Sequence, residues 1–209
     1  MRARVAVLIS GRGSNFVALA EASDRGEIAA RIVLVLSNEA GAAGLDKAGE
    51  MGIEAVAVPH RQFESRAAHE AAVVAELERV GAEWVCLAGY MRLLSAGFVG
   101  RYSRRMLNIH PSLLPSFPGL EVQQKAIDHG VKVSGCTVHL VDEGLDSGPI
   151  VMQCAVPVHD DDTADTLAVR ILEQEHRAYP RALARLVGEP WSIVGRRVVF
   201  GVAAGNDAS

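Results

Sequence analysis

Arg4-Val5-Ala6-Val7-Leu8-Ile9-Ser10-Gly11-Arg12-Gly13-Ser14-Asn15 opens the chain as an apolar run that halts at a glycine-rich turn and passes into helical sequence. An unbroken apolar run of this length reads as a strand buried on both faces, the kind found in parallel sheets. The rhythm repeats downstream. Val/Ile/Leu-rich runs at Ile32 to Leu36, Ala55 to Val58 and Trp84 to Ala88 alternate with stretches rich in Ala, Glu and Arg at Asn15 to Ser23, Gly41 to Met51 and Gln62 to Val80. In the last of these, Phe63, Ala67, Ala71, Val74 and Leu77 share one helical face. The expected fold is α/β and Rossmann-like, a mostly parallel twisted sheet with helices on both faces.

After Met106 to Ile109 the rhythm changes. A Pro-rich loop, a helix from about Glu121 to His129, and two longer β runs follow, Ser134 to Val141 and Ile150 to Val158, joined by Asp142 to Pro149. An antiparallel pair here makes the C-terminal part of the sheet mixed. A last helix is expected from about Thr163 to Leu186, capped by Asp162, with Asp165 in its first turn and a kink at Pro180. The tail from Ala203 to Ser209 is expected to fray.

A chain of 209 residues has room for one sizeable core, and 49% hydrophobic with 22% charged residues is ordinary for a globular protein. The expectation is one domain over 1–209, with 1–100 carrying an anion-binding half and 101–200 the catalytic half. A formal net charge of -4 argues against a nucleic-acid surface. Cys86, Cys136 and Cys154 are odd in number, far apart and set in apolar runs, so they read as buried reduced thiols. The N-terminal run is too short for a secretory signal, and no apolar stretch approaches the roughly 20 residues that span a bilayer. A cytoplasmic protein with no membrane association, monomeric or homodimeric, is expected.

Two places could carry chemistry. In Gly11-Arg12-Gly13-Ser14-Asn15, at the end of a strand and the start of a helix, the backbone N–H groups of Gly13, Ser14 and Asn15 can surround a phosphate. Phe16 occupies the third-glycine position of the dinucleotide fingerprint, and the Gly-Lys-Ser/Thr of a Walker loop is absent. An ordinary βα turn capped by Ser14 or Asn15 is the competing reading.

The second place is Asn108-Ile109-His110-Pro111-Ser112-Leu113-Leu114-Pro115 with Leu145-Asp146-Ser147-Gly148-Pro149. Strand alternation turns Asn108 and His110 to one face. A His held by an Asp can carry charge, and an Asn amide can donate to an oxyanion, so Asn108, His110 and Asp146 suit acyl transfer. The competing reading is structural, with His110 merely satisfying a buried Asp. Placement favours chemistry, because open α/β sheets bind ligands at the carboxyl ends of their strands. His139 is given a supporting role. His159 to Asp162 read as a solvated loop and not a metal site, and Arg101, Arg104 and Arg105 as solvated surface.

These motifs, with Leu87-Ala88-Gly89-Tyr90-Met91-Arg92-Leu93-Leu94, Pro118-Gly119-Leu120 and Gln174-Glu175-His176, resemble the folate-dependent phosphoribosylglycinamide formyltransferases over nearly the full chain. The resemblance implies formyl transfer from the co-substrate 10-formyltetrahydrofolate to the amine of glycinamide ribonucleotide in purine biosynthesis, with no metal. It implies that Gly11, Arg12, Gly13, Ser14, Asn15, Pro111 and Glu175 bind the ribonucleotide. It also implies that Met91, Arg92, Leu93 and Leu94 face Asp142, Glu143, Gly144, Leu145 and Asp146 across the pterin, with Asn108 beside it and Arg66 at the folate tail. The family commonly carries a cis proline here, with Leu114-Pro115 as the candidate. Ser147 stands where many relatives place Gly, and Glu121-Val122-Gln123 replaces the His residues some carry after Pro-Gly-Leu.

Two rivals remain. Formyltetrahydrofolate deformylase uses water in place of the amine, and normally adds an N-terminal regulatory domain. A non-catalytic nucleotide-binding module, with Glu39 at the ribose, would account for the Gly11 loop and leave Asn108, His110 and Asp146 unexplained. Methionyl-tRNA formyltransferase shares the Asn108 to Pro115 run but needs a basic C-terminal domain, for which the tail from Gly201 has no room.

Overall fold

A computed structural model describes residues 2–201. The expected fraying of Ala203 to Ser209 lies outside them. In chain order the elements are β1 (Ala3–Ile9), α1 (Ser14–Asp24), β2 (Ala30–Ser37), α2 (Ala43–Glu50), β3 (Ala55–Ala57), α3 (Arg66–Arg79), β4 (Trp84–Leu87), α4 (Ala96–Arg101), β5 (Met106–His110), α5 (Val122–Asp128), β6 (Val133–Leu140), β7 (Ile150–Pro157), α6 (Ala164–Gly188), β8 (Trp191–Val194) and β9 (Arg197–Phe200). They build one sheet in the order β3-β2-β1-β4-β5-β6-β7-β9-β8. Strands β3 through β5 are parallel, and β5, β6 and β7 run antiparallel to one another. The mostly parallel sheet and its mixed C-terminal part are therefore as expected.

Strand β1 demonstrates why the parallel runs lack alternation. Val5, Val7 and Ile9 pack with Phe16 and Leu19 of α1 and with Leu167, Tyr179 and Leu183 of α6 on one face. Ala6 and Leu8 pack with Val73 and Leu77 of α3 and Phe98 of α4 on the other. Every residue from Val5 to Ile9 is fully buried. Both faces demand apolar side chains, so the period of two disappears.

Two local readings are corrected. The buried stripe of α3 is His69, Glu70, Val73 and Leu77, whereas Ala67 and Ala71 are exposed. Two polar residues face inward there: His69 Nε2–H donates to the Val58 carbonyl at 3.0 Å, and Glu70 accepts the Ser95 N–H at 2.8 Å at the start of α4. A hydropathy pattern assigns such residues to solvent, which rotated the predicted face. The cap of α6 is Thr163, in a reciprocal capping box with Thr166. Asp162 instead accepts two hydrogen bonds from Arg170, at 2.6 and 2.9 Å, which hold its carboxyl well below the usual range. Helix α6 is continuous through Pro180. The β8–β9 hairpin was not anticipated. Two four-residue β runs around Gly195-Arg196 were a legible signal for it.

Helix α6 is pinned to the sheet by Tyr179. Fully buried, its hydroxyl is shared between the carbonyl oxygens of Leu87 in β4 and Leu107 in β5, at 3.0 and 3.1 Å. Burial drives the phenol pKa well up, so it stays a donor. Tyr179→Phe removes one buried donor, and should lower unfolding free energy by about 1–2 kcal/mol. Urea denaturation checks this, and an unchanged midpoint would contradict the role given to the hydroxyl.

Candidate active site

The sheet changes direction between β1 and β4. From β1 the chain moves outward to β2 and β3, then returns by α3 to β4 on the other side. A crevice opens at the carboxyl ends of the strands at such a reversal. The Gly11 loop leaves β1 here, Met91 to Leu94 follow β4, and Asn108 and His110 end β5. Met91 N–H donates to Ser10 Oγ at 2.8 Å, and Ser10 Oγ–H donates to Asn38 Oδ1 at 2.5 Å, which ties the ends of β1, β2 and β4 together.

The four polar residues Asn108, His110, His139 and Asp146 come together. Strand β6 runs antiparallel to β5, and its register sets His139 opposite Asn108. His110 is buried and has an acceptor at each ring nitrogen: Nε2–H donates to the Phe117 carbonyl at 2.9 Å, and Nδ1 lies 3.4 Å from Asp146 Oδ2. Asp146 Oδ2 also accepts the Gly119 N–H at 2.9 Å.

His139 behaves differently. Its Nδ1–H donates to the Leu140 carbonyl at 3.0 Å, which leaves Nε2 to accept from Asn108 Nδ2 at 3.1 Å. Burial pushes its pKa down, and the neighbouring Asp146 only partly opposes this. The 3.8 Å approach of His139 to Asp146 is therefore not an ion pair. His139 orients the Asn108 amide, whose second hydrogen points at Asp146 Oδ1 over a long 3.4 Å. That weakly held hydrogen is the one an oxyanion could take.

The loop beyond His110 is stitched to the sheet. Thr137 Oγ1–H donates to the Ser112 carbonyl at 2.7 Å and accepts the Leu114 N–H at 3.0 Å, while Gln153 Nε2–H donates to the Leu114 carbonyl at 2.9 Å. Leu114-Pro115 is cis, as the resemblance implied. Phe117, Glu121 and Asp146 hold positive φ of 53°, 57° and 50°. Such backbone costs about 1–2 kcal/mol for a residue with a side chain, and it gathers at functional sites.

The second cluster surrounds the Gly11 loop. Gly13, with φ 68°, is the N-cap of α1 and makes no side-chain cap, so the capping by Ser14 or Asn15 that the competing reading of this turn required does not occur. Asn15 Nδ2–H donates to Glu175 Oε2 at 2.7 Å. Glu175 is buried on α6, one turn before Tyr179, and burial raises its pKa. Asn15 Oδ1 is buried without a donor among the described residues.

The remaining candidates line the crevice more loosely. Met91 and Leu93 are exposed by 65% and 68% and Leu145 by 58%, as the lips of an open apolar cleft would be. Asp142 Oδ1 accepts from Ser147 Oγ at 2.6 Å and from the Gly144 N–H at 3.1 Å, giving the 142–147 loop an internal clasp. Glu143 is exposed, and Pro111 and Arg92 are half-buried. Arg66, at the start of α3, is exposed and sits 3.9 Å from Glu70. Glu39, the ribose partner of the module reading, lies 3.5 Å from His60.

The chain matches the family described as formyl transferase over residues 3–183. It belongs to that family. It is 40% identical over 86% of its length to phosphoribosylglycinamide formyltransferase of Escherichia coli, and covers 85% of that protein. It is 51% identical to the trifunctional purine biosynthetic protein adenosine-3 of Drosophila melanogaster over 89% of its own length, but spans only 14% of that longer chain. Glycinamide ribonucleotide transformylase 1 of Symbiobacterium toebii superposes with a TM-score of 0.93 at 46% identity, with 95% and 94% of the two chains covered.

Sequence reasoning missed several parts of this formyltransferase's site. The Phe117 carbonyl and Gly119 N–H are backbone groups, which side-chain identity cannot announce. Ser10, Asn38 and Glu70 act by contacts 25 to 81 residues away in the chain. No helix among the described residues is long and apolar enough to cross a membrane.

His139 generates a pH dependence. Its folded pKa lies below its ordinary 6.5, so in the window between the two values the unfolded formyltransferase binds the proton more readily. Its contribution to stability should therefore fall as pH drops below 6.5. His139→Gln should flatten the decline of urea stability through that window, and an unchanged slope would contradict the neutral assignment.

Proposed function

We propose that this formyltransferase moves a formyl group from 10-formyltetrahydrofolate to the amine of glycinamide ribonucleotide in purine biosynthesis, acting in the cytoplasm. One observation carries the reading: an anion loop and an acid–oxyanion cluster sit at the same end of one sheet, on β1 and β5, with only β4 between them. Strands two apart lie about 10 Å from each other. A ribonucleotide with its phosphate at the Gly11 loop could therefore present its amine at His110.

In this reading Gly11, Arg12, Gly13, Ser14 and Asn15 take the phosphate on backbone N–H groups at the start of α1. The unpaired Asn15 Oδ1 and the Glu175 carboxyl accept from the ribose or the glycyl amine end, and Pro111 lies beside them. Met91, Arg92, Leu93 and Leu94 form one wall for the flat pterin, and Asp142, Glu143, Gly144 and Leu145 form the other. Arg66 supplies positive charge for the acidic folate tail. We read 1–209 as one domain, with 1–100 serving the phosphate and 101–200 the catalysis and the folate. The halves interlock, since Met91 to Leu94 serve the folate and Glu175 the ribonucleotide.

The neutral amine attacks the formyl carbon, and the carbonyl electrons move to oxygen. Protonated His110 and the Asn108 amide donate to that oxyanion. Collapse breaks the bond from carbon to the folate nitrogen, while a proton passes from the attacking to the departing nitrogen. Asp146 holds His110 charged and relays that proton, directly or through water. Side-chain donors supply the stabilisation, so the proposed reaction needs no metal.

Asp146→Asn should lower turnover by about 10²- to 10³-fold, the usual cost of losing such stabilisation, with both substrate affinities changed far less. Near-normal turnover would overturn the mechanism. The reaction itself is tested by following 10-formyltetrahydrofolate spectroscopically with and without glycinamide ribonucleotide. Amine-dependent deformylation is expected. Equal turnover in water alone would indicate the hydrolase, and ribonucleotide binding without turnover a binding module.

A further inference from the structure

Helix α2 takes no part in the chemistry described so far, yet it contacts the anion loop twice. Gly44 N–H, in the first turn of α2, donates to the Gly11 carbonyl at 3.0 Å. Lys47 Nζ, one turn later, donates to the Arg12 carbonyl at 3.0 Å. The next carbonyl, that of Gly13, accepts the Val17 N–H at 3.0 Å as the first bond of α1. Three successive carbonyls of the loop are thus held on the protein side, two of them by α2.

A trans peptide directs its N–H opposite to its C=O. Fixing the carbonyls of Gly11, Arg12 and Gly13 therefore turns the N–H groups of Arg12, Gly13 and Ser14 to the other side. Among the described residues none of these N–H groups has a protein acceptor. They are donors set in advance for an anion. The close approach is backbone to backbone: a Cβ on Gly13 would lie 2.9 Å from Gly44 Cα, and one on Gly44 would run into Ile9 Cδ1 and come within 3.1 Å of Gly11 O.

We infer that Lys47 is a positioning residue for the phosphate of the acceptor, its ammonium locking the Arg12–Gly13 peptide plane so that the loop's N–H donors face the substrate. The inference rests on the reading of the Gly11 to Asn15 loop as the phosphate site. Lys47 contributes in two ways. It holds the plane, and it puts a positive charge against a loop that must receive a dianion, in a chain whose formal net charge is -4.

The test compares wild type, Lys47→Met and Lys47→Arg in steady-state assays with glycinamide ribonucleotide and with the same acceptor lacking its phosphate. Loss of one charge-assisted hydrogen bond should raise KM for the ribonucleotide by about tenfold or more. The turnover number and KM for 10-formyltetrahydrofolate should change by less than about twofold, the split expected when a uniform binding interaction is lost. Lys47→Arg should restore most of the affinity, and the phosphate-free acceptor should be used no worse by Lys47→Met than by wild type. Lys47→Gln, which keeps a polar end on the helix surface, carries the same expectation should Lys47→Met fold poorly. An unchanged ribonucleotide KM, or an equal rise in both KM values, overturns the inference. Wild type using both acceptors equally well would overturn the phosphate reading itself. Wild type preferring the ribonucleotide, with Lys47→Met keeping that preference in full, would overturn only the role of Lys47.

Discussion

A carboxylate removed from water has to be surrounded by donors, and the neighbourhood of Asp146 is organised by that requirement. With its side chain only 11% exposed, Asp146 collects the Asn108 amide and the His110 ring from β5 and the Gly119 N–H from the loop that follows it. Each donor imposes a further condition. The loop that carries Gly119 is stitched to β6 and β7 through Thr137 and Gln153. His110 stays in place because Phe117, at positive φ, offers its carbonyl to the far ring nitrogen. Asn108 is oriented by His139, whose burial keeps it neutral and able to accept. Phe117 and Asp146 hold positive φ where they meet His110.

The two histidines illustrate how environment divides one residue type between two tasks. His110 has acceptors at both nitrogens, one of them a carboxylate. His139 has one acceptor and one donor, and this favours a neutral ring. The division follows from the antiparallel register of β5 and β6, which sets His139 beside Asn108 rather than beside His110. The crevice around them has two kinds of wall. One is backbone at the start of α1, braced by α2. The other consists of exposed side chains such as Met91, Leu93 and Leu145 on loops.

Much of this was legible in the chain. The parallel strands were readable because burial on two faces forces continuous apolar runs. The Asn108 to Pro115 and Asp146 to Pro149 motifs marked the site because amide, imidazole and carboxylate at strand ends are otherwise expensive to bury. Errors arose where tertiary contacts reversed a local preference. His69 and Glu70 are polar and yet face inward, because a carbonyl and the start of α4 await them there. Asp162 looked like a helix cap and instead pairs with Arg170, while Thr163 beside it makes the capping box.

By itself the sequence determined the α/β class, the order of most elements, and the residue types able to bind an anion and stabilise an oxyanion, since these depend on local periodicity and side-chain chemistry. Tertiary structure alone decided how those residues are arranged: which histidine meets the carboxylate and which the amide, which hydrogen of Asn108 is weakly held, and which way the peptides of the Gly11 loop point. The physical reason is that those decisions belong to backbone carbonyls, N–H groups and dihedral angles. They acquire partners only when distant segments meet, and no side-chain identity encodes them.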